Sequence, residues 1–223
     1  MRERMDRARE IYERLLAHYG PQRWWPAETP FGVVVGALLM QQTTWRNVES
    51  AIASLKATGL LDPSNIAGAS VATLRRRVRV AGLYQTKPAR LRAFCRHLLD
   101  RSGGDLTRYF ARPTDAVRED LLAQAGVGPE TADSILLYAG GHPVFVVDAY
   151  TERIGRRIGL FGTGEYRTIQ RYFEQHVPRD LATYQEYHAL LVRHAKTLCR
   201  RANPGCAECP VQSVCDFGRR RKR

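Results

Sequence analysis

Four cysteines crowd the last twenty-five residues: Cys199, Cys206, Cys209 and Cys215, spaced C-x6-C-x2-C-x5-C. Only Ala207-Glu208 separates Cys206 from Cys209, so both sulfurs can turn toward one centre, and Pro204 and Pro210 keep the segment irregular. Such spacing serves a disulfide pair, a structural zinc or an iron–sulfur cluster. The start, MRERMDRARE, lacks an apolar export signal, so the thiols are expected to stay reduced and to act as metal ligands. Donor chemistry alone does not separate zinc from a [4Fe–4S] cluster. Cys95 lies on an apolar helix face and reads as a small buried residue.

Two further features could do chemistry. Residues 121–132 read as a helix, a tight Gly126-Val127-Gly128 turn and a second helix opened by Pro129. Glycines leave the turn's amides unobstructed beside a positive helix N-terminus, which makes a phosphate cradle without any side chain; alone, the pattern is equally that of a plain turn. Eighteen residues past Glu130 stands Asp148, in Val146-Val147-Asp148-Ala149-Tyr150-Thr151. It immediately precedes a helix and by itself reads as an N-cap.

The elements that must position these groups are helical. Apolar residues spaced three and four apart run from Met5 to Tyr19, and Gly20-Pro21 ends that helix. Thr29 before Pro30 reads as the N-cap of an apolar helix ending near Gln41-Gln42. Further helices are expected at about 45–57, 71–80, 87–101, 115–124, 129–139, 149–159, 165–176 and 181–198, with only 144–147 extended. The expected fold class is all-α, with about ten helices. Of 223 residues, 35 are Lys or Arg and 22 Asp or Glu, a net charge of +13. Residues 218–223 hold five of the basic residues, yet thirty basic against twenty-two acidic remain, so the body itself suits a polyanionic partner. The longest apolar run, 31–40, is too short to span a membrane. Only four lysines occur, at 56, 87, 196 and 222, against thirty-one arginines.

In combination, the hairpin, the Val-Asp148 segment behind it and the four-cysteine loop make the chain resemble the helix-hairpin-helix DNA glycosylases of the endonuclease III superfamily. The cysteine spacing matches that family's iron–sulfur signature, which implies a [4Fe–4S] cofactor on Cys199, Cys206, Cys209 and Cys215, with zinc the alternative. The resemblance implies two helical domains: a six-helix barrel over 24–131 carrying the hairpin, and a second domain over 1–23 and 132–223 carrying the cluster loop, with the active site in an interdomain cleft. It implies a monomer acting on double-stranded DNA that holds a damaged base, in the cytoplasm and at the nucleoid, with the base flipped out.

Carried over position by position, the resemblance makes Asp148 the catalytic carboxylate, stabilising the cationic sugar and orienting water. The Schiff-base lysine of bifunctional relatives is here Glu130, and among the lysines only Lys196 is placed to approach the cleft, so a monofunctional, water-using glycosylase is expected. Met40-Gln41-Gln42-Thr43 is similar to adenine-mispair glycosylases, but 36–39 lacks their glutamate. Gln41 matches the glutamine that fills the hole left by a flipped base, and Gly126, Val127, Gly128 and Thr131 match the backbone grip on DNA. The stretch 19–30, with Trp24-Trp25-Pro26, looks like the 3-methyladenine glycosylase branch, which implies a base pocket of Trp24, Trp25, Pro26 and Trp45 for a cationic alkylated purine, approached by Glu130. Arg200 and Arg201, beside the cluster, are expected to contact phosphate, Glu152 and Arg153 to form a surface pair, and the six histidines to pack or face solvent. An endonuclease III-like activity on oxidised pyrimidines or mismatched bases, and a noncatalytic DNA-binding module, are the alternatives.

Overall fold

The computed structural model describes residues 2–22, 24 and 27–220, with side chains from Arg7 onward apart from the gaps. Trp25 and Pro26 lie outside the described residues, as does the end of the basic tail from 221. Among the described residues the chain is helical with no strand, and it divides into two compact units, 25–142 and 1–24 with 143–223. The expected boundary at 131/132 falls inside a continuous helix; the division lies instead at His142/Pro143.

In the contiguous unit, helices α2 (Pro30–Leu39), α3 (Trp45–Lys56), α4 (Pro63–Gly68), α5 (Val71–Val78), α6 (Lys87–Ser102), α7 (Leu106–Phe110), α8 (Thr114–Leu122) and α9 (Pro129–Tyr138) follow one another. (The first helix, α1, is Arg2–Tyr19 of the other unit.) α2 is the core: Phe31, Val33 to Val35, Ala37 and Leu39 are all buried. Its start is fixed as expected, the Gly32 amide donating to Thr29 Oγ1 at 3.1 Å, but it ends at Leu39, short of Gln41. Helices α4 and α7 are absent from the periodicity reading because five or six residues are too few to show a repeat. Their caps, Asp62 and Asp105, accept the amides of the first turn at 2.8–3.2 Å.

The other unit joins α1 to α10 (Ala149–Ile158), α11 (Tyr166–His176), α12 (Leu181–Thr197) and α13 (Asp216–Arg220). Phe145 stacks on Phe173 with centroids 4.3 Å apart, and Tyr184 and Tyr187 meet Phe145 edge-on. Residues 144–147 are buried and carry no regular element. Both chain ends are sewn into this unit: Arg7 donates to the carbonyls of Ile158 and Val214 and pairs with Asp216 at 2.8 Å.

Candidate active site and nucleic-acid interface

Asp148 does cap a helix, with Oδ1 accepting the Thr151 amide at 2.7 Å. Its other oxygen does more. Oδ2 lies 3.7 Å from His188 Nε2, beyond a good hydrogen bond but within ion-pair reach, and the two side chains are 12 % and 5 % exposed. Burial alone would push the Asp148 carboxyl up; the facing His188 and the Thr151 amide outweigh it and hold the group below the usual carboxylate range. The Trp24 ring lies 5.6 Å from that of His188, tilted by 47°. This unit therefore places an ionised, largely desolvated carboxylate, an imidazole and an indole side by side. His188 was expected only to pack; it is the neighbour that conditions Asp148. Lys196, eight residues further along α12, is about 12 Å down the helix from His188 and exposed.

The hairpin is built by means other than spacing reveals. Gly126 has φ +82° and sits over Arg90, whose guanidinium a Cβ would meet at 2.6 Å. Across the turn Arg118 of α8 makes a bidentate pair with fully buried Asp133 of α9, at 2.7 and 3.2 Å, so the two helices are bolted together. The Val127 amide is spent inside the turn on Gln124 O and its side chain is buried, so Val127 anchors the turn and is not a donor to a ligand. The amides left for an anion are those a helix start leaves outside its own ladder, near Gly128, Glu130 and Thr131. Glu130 is exposed in the first turn of α9, where the helix dipole favours a carboxylate. Gln41 is brought to the same turn, its Nε2 donating to Gly126 O. Trp45 opens α3 with its ring 3.5 Å from where a Cβ on Gly36 would stand, beside a cavity of about 420 Å³ that Glu28, Glu49 and Ile52 also line.

The chain matches the family described as HhH-GPD superfamily base excision DNA repair protein over residues 35–179, which takes in the hairpin and Asp148. The chain belongs to this superfamily. Among its relatives, a protein of Methanocaldococcus jannaschii whose name assigns it to the DNA repair glycosylases is 44% identical over 210 residues, covering 92% of this chain and 94% of its own length. Endonuclease III of Thermotoga maritima is 29% identical over 192 residues, covering 86% and 85%. Among solved structures, the 3-methyladenine DNA glycosylase of H. pylori bound to 1,N6-ethenoadenine superposes with TM-score 0.75 at 28% identity, covering 85% of this chain and 97% of that one. An endonuclease III–DNA complex reaches TM-score 0.84 at 22% identity over 98% of both chains, a likeness of fold. The chain is thus a base excision repair DNA glycosylase of the HhH-GPD family with the all-α endonuclease III fold.

In this glycosylase Cys199, Cys206, Cys209 and Cys215 are free thiols that line one cavity, with His194 and Val211. Among the described residues no three potential ligands converge as for a single metal ion. The donor set nevertheless fits a group that takes four thiolates. Arg157 Nη1 and the Gly218 amide each approach a sulfur, of Cys199 and Cys215, at 3.3 Å. Burial and the other sulfurs push Cys209 up to about 11 and raise Cys215, a crowding of soft donors that a bound cation would relieve. Arg153 and Arg157, four apart on α10, hold the loop by its carbonyls: Arg153 donates to Cys199 O and Ala195 O, Arg157 to Cys199, Arg200 and Arg201. The expected Glu152–Arg153 pair does not form; Glu152 meets Arg156 instead, because i and i+4 share a helix face and neighbours do not. Arg200 and Arg201 remain exposed side chains on the clasped loop.

Proposed function

We propose that the chain is a monofunctional glycosylase that hydrolyses the N-glycosidic bond of an alkylated purine such as 3-methyladenine in double-stranded DNA. The observation that carries this is Asp148: a carboxylate kept ionised while nearly removed from water, with an indole two rings away. Such a group stabilises a cationic sugar through low-dielectric electrostatics and can accept a proton from the attacking water, while His188 holds its orientation. An alkylated purine is a cationic leaving group, so electron-rich rings recognise it and little general acid is required. Trp24 supplies one such ring, with Trp25 and Pro26 next to it in sequence; Trp45, with Glu28 and Glu49 on the same cavity, offers a second surface suited to a cation. The H. pylori relative's bound ethenoadenine supports a modified purine.

DNA is held through the Gly128–Thr131 helix start, with Gln41 and the exposed Leu83 available to fill the space a displaced base leaves, and through Arg200 and Arg201. The four cysteines would hold a [4Fe–4S] cluster, whose part is to stiffen that loop. Among the described lysines, strand cleavage through a Schiff base finds little support: Lys56 is paired with Glu28, Lys87 is buried, and Lys196 lies about 12 Å along α12 from His188. The test is base release from duplexes holding 3-methyladenine, 7-methylguanine, hypoxanthine, thymine glycol or a uracil mispair, by the wild type and Asp148→Asn. Alkylpurine release that disappears in the variant is expected. Release of thymine glycol alone, with a borohydride-trappable adduct, would establish the endonuclease III-like reading instead.

A further inference from the structure

Lys87 is 2 % exposed, at the first position of α6, yet its partners are three backbone carbonyls: Leu39 O at 2.8 Å, Gln41 O at 2.6 Å and Ala81 O at 2.7 Å. All three ammonium protons are thereby used. A buried cation costs several kcal/mol unless it is compensated, so a site that keeps one does so for what it holds in place. Leu39 carries one of the carbonyls that the end of α2 leaves open, where a positive charge is favoured, and Gln41 lies in the turn that follows. Ala81 belongs to the turn before α6. That turn and the Gln41 turn are both strained: Gln42 has φ +53° and Leu83 φ +45° without being glycine, and a Cβ added to Gly82 would stand 4.0 Å from Gln42 O. Among the described residues the large apolar side chains that stay exposed are Val80, Leu83 and Tyr84, all on this second turn. Gln41 in turn donates to Gly126 O, and Arg90, one turn beyond Lys87 on α6, lies beneath Gly126.

We infer that Lys87 is a positioning residue for lesion engagement: its ammonium binds the Gln41 turn to the Ala81–Leu83 turn, and through Gln41 to the hairpin, so that three turns meet damaged DNA as one preset surface. The inference rests on these turns being the DNA face of their unit. Ordering them beforehand removes an entropic cost that binding would otherwise bear, and the benefit is confined to DNA from which a base has been displaced, since phosphate contacts do not involve Lys87.

The test uses the full-length protein and two duplexes, one undamaged and one with a tetrahydrofuran abasic analogue beside 2-aminopurine. Lys87→Met should lose about tenfold in affinity for the analogue duplex, the scale of one charge-assisted hydrogen bond, and most of the 2-aminopurine fluorescence rise, while binding undamaged DNA as the wild type does. Equal weakening on both duplexes, or wild-type behaviour on both, overturns it. If Lys87→Met does not fold, Gln41→Ala and Leu83→Ala take its place. Turns joined through Lys87 should give a double variant no worse than the poorer single one, and simple additivity overturns the inference. A wild type that does not distinguish the two duplexes would instead defeat the DNA-face reading itself.

Discussion

Of the carboxylates that stand at helix starts, two, one in each unit, are treated in opposite ways. Glu130 follows Pro129 at the start of α9, exposed, where solvent screens it. Asp148 caps α10 with one oxygen on the Thr151 amide and the other facing His188, largely out of water. A carboxylate near a helix start therefore yields a dipole partner in one place and a strong local field in the other. Burial with a partner, and not the helix start, is what sets Asp148 apart from Glu130.

That contrast can be broken in order of expected effect. Asp148→Asn should cut base release by about a thousandfold, the scale of removing a main electrostatic stabiliser, with the thermal midpoint nearly kept because Asn caps as well as Asp; a few-fold change in rate would remove Asp148 from the reaction. His188→Gln should cost about tenfold in kcat. Since His188 helps to hold the Asp148 carboxyl below its ordinary range, its loss raises that group and moves the acid limb of the pH–rate profile to higher pH; an unmoved limb would make His188 a packing residue. Glu130→Gln should lower release of cationic 3-methyladenine by about threefold, within the range of a screened charge, and leave that of neutral hypoxanthine alone. Equal effects on both would mean that Glu130 does not sense the charge of the base.

A separate effect, on stability and not on rate, concerns the helix leading into the hairpin. On α8, Asp120 faces Arg112 at 2.8 Å and His97 at 3.0 Å. Burial would raise its carboxyl, but the bonds from Arg112 and His97 outweigh it and bring the group down to about 2. A depressed carboxyl stabilises the fold above its ordinary pKa and ceases to do so as pH falls from about 4 toward 2. Asp120→Asn should therefore lower stability by about 2 kcal/mol at neutral pH and flatten the acid limb of the unfolding curve; an equally steep limb would assign acid sensitivity elsewhere.

Most helices were legible because their apolar residues repeat and their ends carry Thr-Pro, Gly-Pro or Asp punctuation; α5, α6 and α9 to α12 begin and end within about two residues of expectation. Asp148 could be singled out only through the resemblance, because an aspartate before a helix is a common N-cap, as Asp62, Asp105 and Asp180 also are in this chain. Its partner was not: His188 lies forty residues on, inside a helix, and nothing in the intervening sequence reports that α10 and α12 pack together. Lys87 was invisible for a different reason. Its partners are carbonyls, which every residue carries, so no motif encodes them. Arg153 and Arg157 were recoverable in principle, being four apart on one face, but reading Arg153 with its sequence neighbour Glu152 hid the spacing.

Arg7 reaches Val214 and Asp216 across more than two hundred residues, whereas the 25–142 unit is one uninterrupted stretch. The order of synthesis follows from this. The hairpin unit can close as soon as it leaves the ribosome, but α1, made before it, must wait for residues 143–223 to emerge, roughly 4–16 s later at ordinary elongation rates. During that interval its apolar face, Ala8, Ile11 and Leu15, has no native partner. The nascent protein therefore carries a finished hairpin unit before α1 can pack, and a chaperone that shields α1 should matter more to its yield than one that acts after both units have formed.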